Sequence, residues 1–230
     1  MATIKLSIDK THSASRFDVV ASSFNPNFID HVGLNAISTD IKRGNMVDVM
    51  EMGPPFAVGQ PSRSKDKEPL FGQIDPDCIA SIEDLSQSEI MDLEAWMEDM
   101  RTRRSSKPFL QVSYWIHPPH DFIRDDVSMR VIGRKFSCAG FVLCCYEEAI
   151  GIRLLDFDSL PAIDHSVLQK IYDAHRMEGF TERRTKLGLE GDPPWKITLC
   201  GYILHSLNRP ANETRTVPYK VNSDSEASFP

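Results

Sequence analysis

The segment Lys135–Ile152, KFSCAGFVLCCYEEAIGI, constrains this chain more than any other. Phe141, Val142, Cys145 and Ala149 recur at helical spacings of three and four, with Leu143 and Tyr146 alongside, which predicts a buried helix. A small polar turn and Cys138 stand directly before that run. A cysteine there meets unpaired backbone N–H groups and the positive end of the helix dipole. Both favour thiolate over thiol, so Cys138 is a candidate nucleophile near neutral pH, expected to be partly exposed and to begin the helix. Gly140 lets another backbone or a substrate approach the first turn. The competing reading is a packing cysteine, since free Cys also fills cores as a small hydrophobe.

A cysteine nucleophile needs a base. Asp30–Ile37, DHVGLNAI, alternates as a strand does, with His31, Gly33 and Asn35 on one face and Val32, Leu34 and Ala36 on the other. After a turn at Lys42–Asn45, Met46–Met52 alternates again, with Val47, Val49 and Glu51 sharing a face. Paired antiparallel, the two strands present His31 and Glu51 to each other. Cys138, His31 and Glu51 then stand as nucleophile, base and orienter. Singly, His31 also reads as a structural strand histidine and Glu51 as a solvent-facing strand residue.

Elsewhere, Thr3–Ile8 and Phe17–Ser23 are candidate strands, and Gly59–Pro69 reads as an exposed polar loop. Ser86 with Glu89 makes a capping box, and Ile90, Leu93, Met97 and Met100 then trace one helical face. Phe109–Ile116 is a strand candidate running into His117-Pro-Pro-His120-Asp121. The two prolines spread those histidines apart and no third strong ligand stands at metal spacing, so no metal site is expected. Asp164 precedes a short helix, and Trp195–Leu207 reads as a buried strand. From Asn208 the chain is polar and ends in SDSEASFP, giving a domain over 1–207 and a flexible tail over 208–230.

A chain of 230 residues is long enough for one sizeable mixed domain. Its net charge of −7 argues against a general nucleic-acid binder. No apolar stretch approaches the roughly 20 residues that span a bilayer, and the N-terminus lacks the apolar core of a secretory signal. Five cysteines without paired spacing argue against a disulfide framework and fit a reducing, cytoplasmic setting.

Taken in order, these segments resemble the circularly permuted NlpC-like cysteine peptidases of the YiiX type, related to the lecithin retinol acyltransferase group. DHVGLNA looks like that family's histidine-bearing strand. VDVMEMGPPFAV is similar to the strand that follows it and ends in glutamate, and FSCAGFVLCCYEEAIGI to its nucleophile helix. IEDLSQSEIMDLEAWMEDMRTRR is similar to the amphipathic helix between them. The likeness covers roughly Phe17–Asp158. Ala139-Gly140 replaces the family's usual Ser-Glu after the cysteine, and His120-Asp121-Phe122 replaces its tyrosine-aspartate pair.

The resemblance implies an α+β fold of papain-like, permuted NlpC type: a central antiparallel sheet with packed helices. It implies a cysteine-dependent hydrolase of amide, peptide or ester bonds that needs no cofactor and works through an acyl-thioester. Asn35 and His120 are the candidates beside the Cys138 amide for holding the oxyanion. Three alternatives stand beside this: a thiol acyltransferase using the same pair, an inactive papain-like binding module, and an unpermuted site in which His205 serves Cys138.

Overall fold

Alternation of small and β-branched residues in the first third of the chain builds a layered sheet. The computed structural model describes residues 5–6, 11–23, 29–42, 44–51, 71–105, 111–114, 116, 120–171, 188–189 and 191–223. The first strands are β1 (Lys5–Leu6), β2 (His12–Ala14), β3 (Val19–Ser22), β4 (His31–Asn35), β5 (Thr39–Ile41), β6 (Val47–Met50), β7 (Phe71–Ile74) and β8 (Cys78–Ala80). Six of them form one antiparallel sheet in the order β1-β8-β3-β4-β6-β7. The Gly59–Pro69 segment falls outside the described residues.

Both faces of this sheet are covered. Val20, Val47, Val49, Ile74 and Ile79 are buried together with Ala14 and Ile41 from the separate β2–β5 pair. Val19, Ala21, Val32, Leu34 and Met50 face the other way, into the main core with the helices. Each fully buried side chain of this size contributes about 1.5–3 kcal/mol relative to exposure.

Helix α1 (Gln87–Ser105) starts at the expected capping box: Ser86 Oγ accepts from the Glu89 N–H at 3.2 Å, and the Ser86 N–H donates to Glu89 Oε2 at 2.7 Å. Leu93, Met97 and Met100 are its buried stripe. Strands β9 (Gln111–Tyr114), β10 (His120–Arg124) and β11 (Val131–Phe136) then form a second sheet, with β11 antiparallel to β10 and parallel to β9.

Strand β11 delivers the chain into helix α2 (Cys138–Ile150). Ser137 caps that helix, its Oγ accepting from the Gly140 N–H at 2.9 Å, and Gly151 ends it in the left-handed conformation at φ 72°. Every residue from Cys138 to Tyr146 is buried. Tyr146 donates its hydroxyl to the Phe17 carbonyl at 2.5 Å, and the Phe17 N–H reaches the carbonyl of Asn35, the last residue of β4. The eight steps along the helix from Cys138 to Tyr146 rise about 12 Å, and the four steps along the strand from His31 to Asn35 span about 13 Å. Helix α2 therefore lies along β4, with Cys138 over the start of that strand.

The last third departs from expectation at two places. Trp195–Leu207 is not one strand. A two-residue strand, β13 (Trp195–Lys196), pairs with β12 (Ala162–Ile163), and Cys200–Leu207 is a helix. A short, continuously apolar run has no period that separates strand from helix, and packing on the core decided it. With α3 (His165–Ile171) between them in the chain, this helix is α4, followed by α5 (Ala211–Thr216).

The residues after 207 are also not a loose tail as far as 223. Tyr219 bridges to Leu155, its N–H reaching the Leu154 carbonyl at 2.9 Å. Thr214 Oγ1 donates to the Ser206 carbonyl at 3.2 Å, and Arg215 pairs with Glu89 at 2.6 Å beside the start of α1. The polarity of this stretch serves hydrogen bonds to helix ends and carbonyls. Composition alone reads the same residues as solvated.

Candidate active site

The site forms at one end of the β4–β6 ladder. Among the described residues their register pairs Leu34 with Met50 and Asn35 with Val49. One step on, Gly33 comes opposite Glu51. A Cβ on Gly33 would lie 3.0 Å from Val49 Cγ2 and 3.2 Å from the Met50 carbonyl oxygen, so glycine is what lets β6 approach this closely. At this end of the pair, His31 and Glu51 face each other.

His31 Nε2 hydrogen-bonds the Glu51 carboxylate, which is buried. The same imidazole hydrogen-bonds Cys138. With Nε2 engaged by Glu51, Nδ1 is the ring nitrogen left for the sulfur. Burial works against a charged imidazole here. The Glu51 carboxylate and the Cys138 sulfur together outweigh it, and the His31 pKa rises from 6.5 to about 10.

The sulfur has three partners. Cys200, the first residue of α4, lies with its Sγ 3.5 Å from Cys138 Sγ. Its hydrogen bond is the largest influence on Cys138 and favours thiolate; burial opposes, and His31 and the Val32 N–H add to the thiolate side. The net result is a Cys138 pKa well below its ordinary value. Strand β4 brings the Val32 N–H to the sulfur. Cys200 moves the opposite way: as donor beside a thiolate, and itself buried, it holds its proton. The shifts at Cys138 and His31 both favour a thiolate–imidazolium pair, with a carboxylate on one side and a thiol on the other.

Sequence reasoning placed Cys138, His31 and Glu51 together, and they are together. It expected Cys138 to be partly exposed; the residue is buried, 3% exposed, with Cys200 at the start of α4 against its sulfur. The His31 side chain, at 14% exposed, is the more open part of the pair.

Of the oxyanion candidates, Asn35 lies outside the site. Asn35 stands at the far end of β4, about 13 Å along the strand from His31. It donates Nδ2 to the Ser15 carbonyl at 2.9 Å, tying down the turn before β3. His120 packs edge-on against Phe157. Burial and then Arg134 lower its pKa, partly offset by Glu147 and Glu148 on the later turns of α2. Alternation put Asn35 on the His31 face correctly, but a shared face says nothing of distance along the strand. His205 lies on α4 with its ring stacked on Tyr219, 6.3 Å between centroids, and the histidine at Cys138 is His31.

Cys200 is the neighbour that sequence reasoning did not place in the site. A signal was present. Cys200-Gly201-Tyr202-Ile203-Leu204 is similar to Cys138-Ala139-Gly140-Phe141-Val142, each a cysteine followed by one or two small residues, an aromatic and an aliphatic residue. Both begin helices.

Among the described residues no group of three or more His, Cys, Asp or Glu side chains is arranged to hold a metal ion, and His117 lies outside them. Among them, too, no helix is long and apolar enough to cross a membrane. No family model, curated protein or solved structure matches this chain.

Proposed function

We propose that this protein is a cysteine-dependent hydrolase of amide, peptide or ester bonds, built as a permuted NlpC-like, papain-type domain. The observation that carries the reading is the Cys138–His31–Glu51 constellation at a helix N-terminus, with the thiol pKa lowered and the imidazole pKa raised. A buried packing cysteine has no use for a buried carboxylate holding a histidine against it. Burial alone would push the thiol pKa upward.

In this mechanism the Cys138 thiolate attacks the carbonyl carbon. The oxygen takes the negative charge and is held by N–H groups at the start of α2, where the first amides have no intrahelical acceptor. The Gly140 N–H is already committed to Ser137 Oγ and the Phe141 N–H to the Ser137 carbonyl, which leaves the Cys138 and Ala139 amides as the donors for this role. As the tetrahedral species collapses, imidazolium His31 protonates the departing amine or alcohol, and an acyl-thioester remains on Cys138. Neutral His31 then takes a proton from water as it attacks the thioester. The acid leaves, and thiolate and imidazolium are restored. Glu51 keeps the ring oriented and its charge compensated throughout. If an amine or alcohol enters in place of water, the same steps make an acyltransferase.

The test is p-nitrophenyl acetate with the full chain, read by intact mass and peptide mapping. A single acetyl group on Cys138, absent in His31→Ala, is expected. An unmodified Cys138, together with iodoacetamide alkylation no faster than that of free cysteine at pH 7, would replace this reading with a binding module.

A further inference from the structure

The mechanism above uses Cys138 and has no chemical step for Cys200, yet the two sulfurs touch. We propose that Cys138 and Cys200 form a reversible dithiol–disulfide pair, in which a hydroperoxide converts the site thiol to a protected disulfide with Cys200 as resolving thiol.

The geometry is the argument. The sulfurs are 3.5 Å apart and both thiols are free. Closing that gap to the roughly 2.05 Å of an S–S bond needs a movement of about 1.5 Å. Each cysteine is the first residue of its helix, α2 or α4, so two positive helix ends converge on the pair. The other cysteines are occupied differently. Cys144 sits between Arg134 and Glu148, while Cys78 is on β8 and Cys145 lies within α2. Both members of the pair are buried, at 3% and 4% exposed, which admits a reagent as small as hydrogen peroxide far more readily than a bulky disulfide.

The chemistry balances. The Cys138 thiolate attacks one peroxide oxygen and the O–O bond breaks. The departing hydroxide takes the proton of imidazolium His31 and leaves as water, and Cys138 is now a sulfenic acid. The Cys200 sulfur attacks the Cys138 sulfur and the S–O bond breaks. The second hydroxide takes the proton Cys200 gives up and leaves as water. Two thiols have lost two electrons to one peroxide. A dithiol reductant such as dithiothreitol returns both sulfurs by exchange. Formation of the sulfenic acid also removes the negative sulfur that had kept Cys200 protonated, so the first oxidation prepares the second step.

The experiment treats the full chain with hydrogen peroxide, blocks remaining thiols with N-ethylmaleimide and maps it without reduction. Wild type should lose two of its five thiols. It should yield a cross-linked peptide pair whose fragment ions join Cys138, not Cys144 or Cys145, to Cys200. Dithiothreitol should restore all five thiols. In Cys200→Ser and Cys200→Ala, Cys138 should advance to sulfinic or sulfonic acid that dithiothreitol does not recover. Wild-type Cys138 that over-oxidises with Cys200 still free, pairs with another cysteine, or does not react overturns the proposal. The wild-type map needs no variant to fold. It reads sulfur chemistry alone, so its outcome is separate from whether the protein turns over an acyl substrate.

Discussion

Helix α2 carries three cysteines, and its first position and its middle treat them in opposite ways. Cys138 at the first position and Cys144 and Cys145 two turns later are all buried. Burial raises the pKa of Cys144 and Cys145 far above the ordinary thiol range; for Cys144 the Arg134 guanidinium opposes this, but Glu148 adds to it. Cys78, buried on β8, is likewise pushed up to about 12. At Cys138 the same burial is overridden by donors: the Cys200 thiol, the imidazole and the Val32 N–H. Depth in the core therefore does not distinguish an inert thiol from a reactive one. The supply of hydrogen-bond donors and positive charge does.

That contrast can be broken most severely at its base. At pH 7, iodoacetamide should alkylate Cys138 while Cys78, Cys144 and Cys145 stay unlabelled in the native protein. His31→Ala should slow Cys138 by about 10²–10⁴-fold, the range for loss of a positioned acid–base group. Rate constants from timed peptide mapping check this, and a His31→Ala rate within threefold of wild type would contradict it. Glu51→Gln should have a smaller effect, about 10–100-fold on the same rate, because an orienter contributes less than the nucleophile–base pair. The wild-type rate should stay level through neutral pH and Glu51→Gln should lose that plateau, since the carboxylate is the largest influence raising the His31 pKa.

Much of this site was legible in the chain because its determinants are local. Ser137 and Gly151 bracket α2 by capping chemistry that short spacing encodes. The alternation in HVGLN and MVDVME placed His31 and Glu51 on one face, and the ladder between β4 and β6 has that parity. What was not legible depends on contacts far apart in sequence. The Cys138–Cys200 contact joins residues 62 apart, and α4 could not be told from a strand until its neighbours were known. Asn35 failed as an oxyanion candidate for the related reason that its partner, the Ser15 carbonyl, is fixed by how β2, β3 and β4 turn around one another. The same holds for residues 208–223, whose polar side chains are recognisable as attached only once Leu154, Ser206 and Glu89 are in place beside them.

A gentler way to sharpen the contrast acts through the strand spacing. Gly33→Ala puts a methyl group 3.0–3.2 Å from Val49 and the Met50 carbonyl, and backbone cannot yield as a flexible side chain does. Strand β6 must shift, taking Glu51 with it. We expect destabilisation of about 1–3 kcal/mol, the usual cost of overpacking, measured by urea unfolding. The alkylation rate of Cys138 should fall at the same time, while Cys144 and Cys145 stay inert. A stable Gly33→Ala protein with unchanged Cys138 reactivity would show that the Glu51 position does not depend on this close approach.

The subtlest effect is on the pH dependence of stability, where Cys138 and His31 act with opposite sign. His31 has its pKa raised from 6.5 to about 10, so the native state holds a proton that the unfolded chain gives up between those values. Taken alone, its contribution is fully present below pH 6.5 and is lost as pH rises towards 10. Cys138 has its pKa lowered well below 9.0, so the unfolded chain holds a proton that the native thiolate lacks. Taken alone, its contribution is present above pH 9 and is lost as pH falls. Wherever the native Cys138 is already a thiolate, up to about pH 9, the native pair holds its proton on nitrogen and the unfolded pair on sulfur, and the two slopes cancel. Wild-type stability should therefore show no net slope from this pair across that window. Cys138→Ser removes one of the two terms. Glu51 remains to keep the His31 pKa raised, so unfolding free energy should now decline with pH above 6.5, by at most about 1.4 kcal/mol per pH unit. Urea melts at closely spaced pH values measure the difference between the two proteins. A Cys138→Ser profile parallel to wild type from pH 6.5 to 9 would mean that the native site does not hold separated charges. Cys138 would then be a thiol like Cys144.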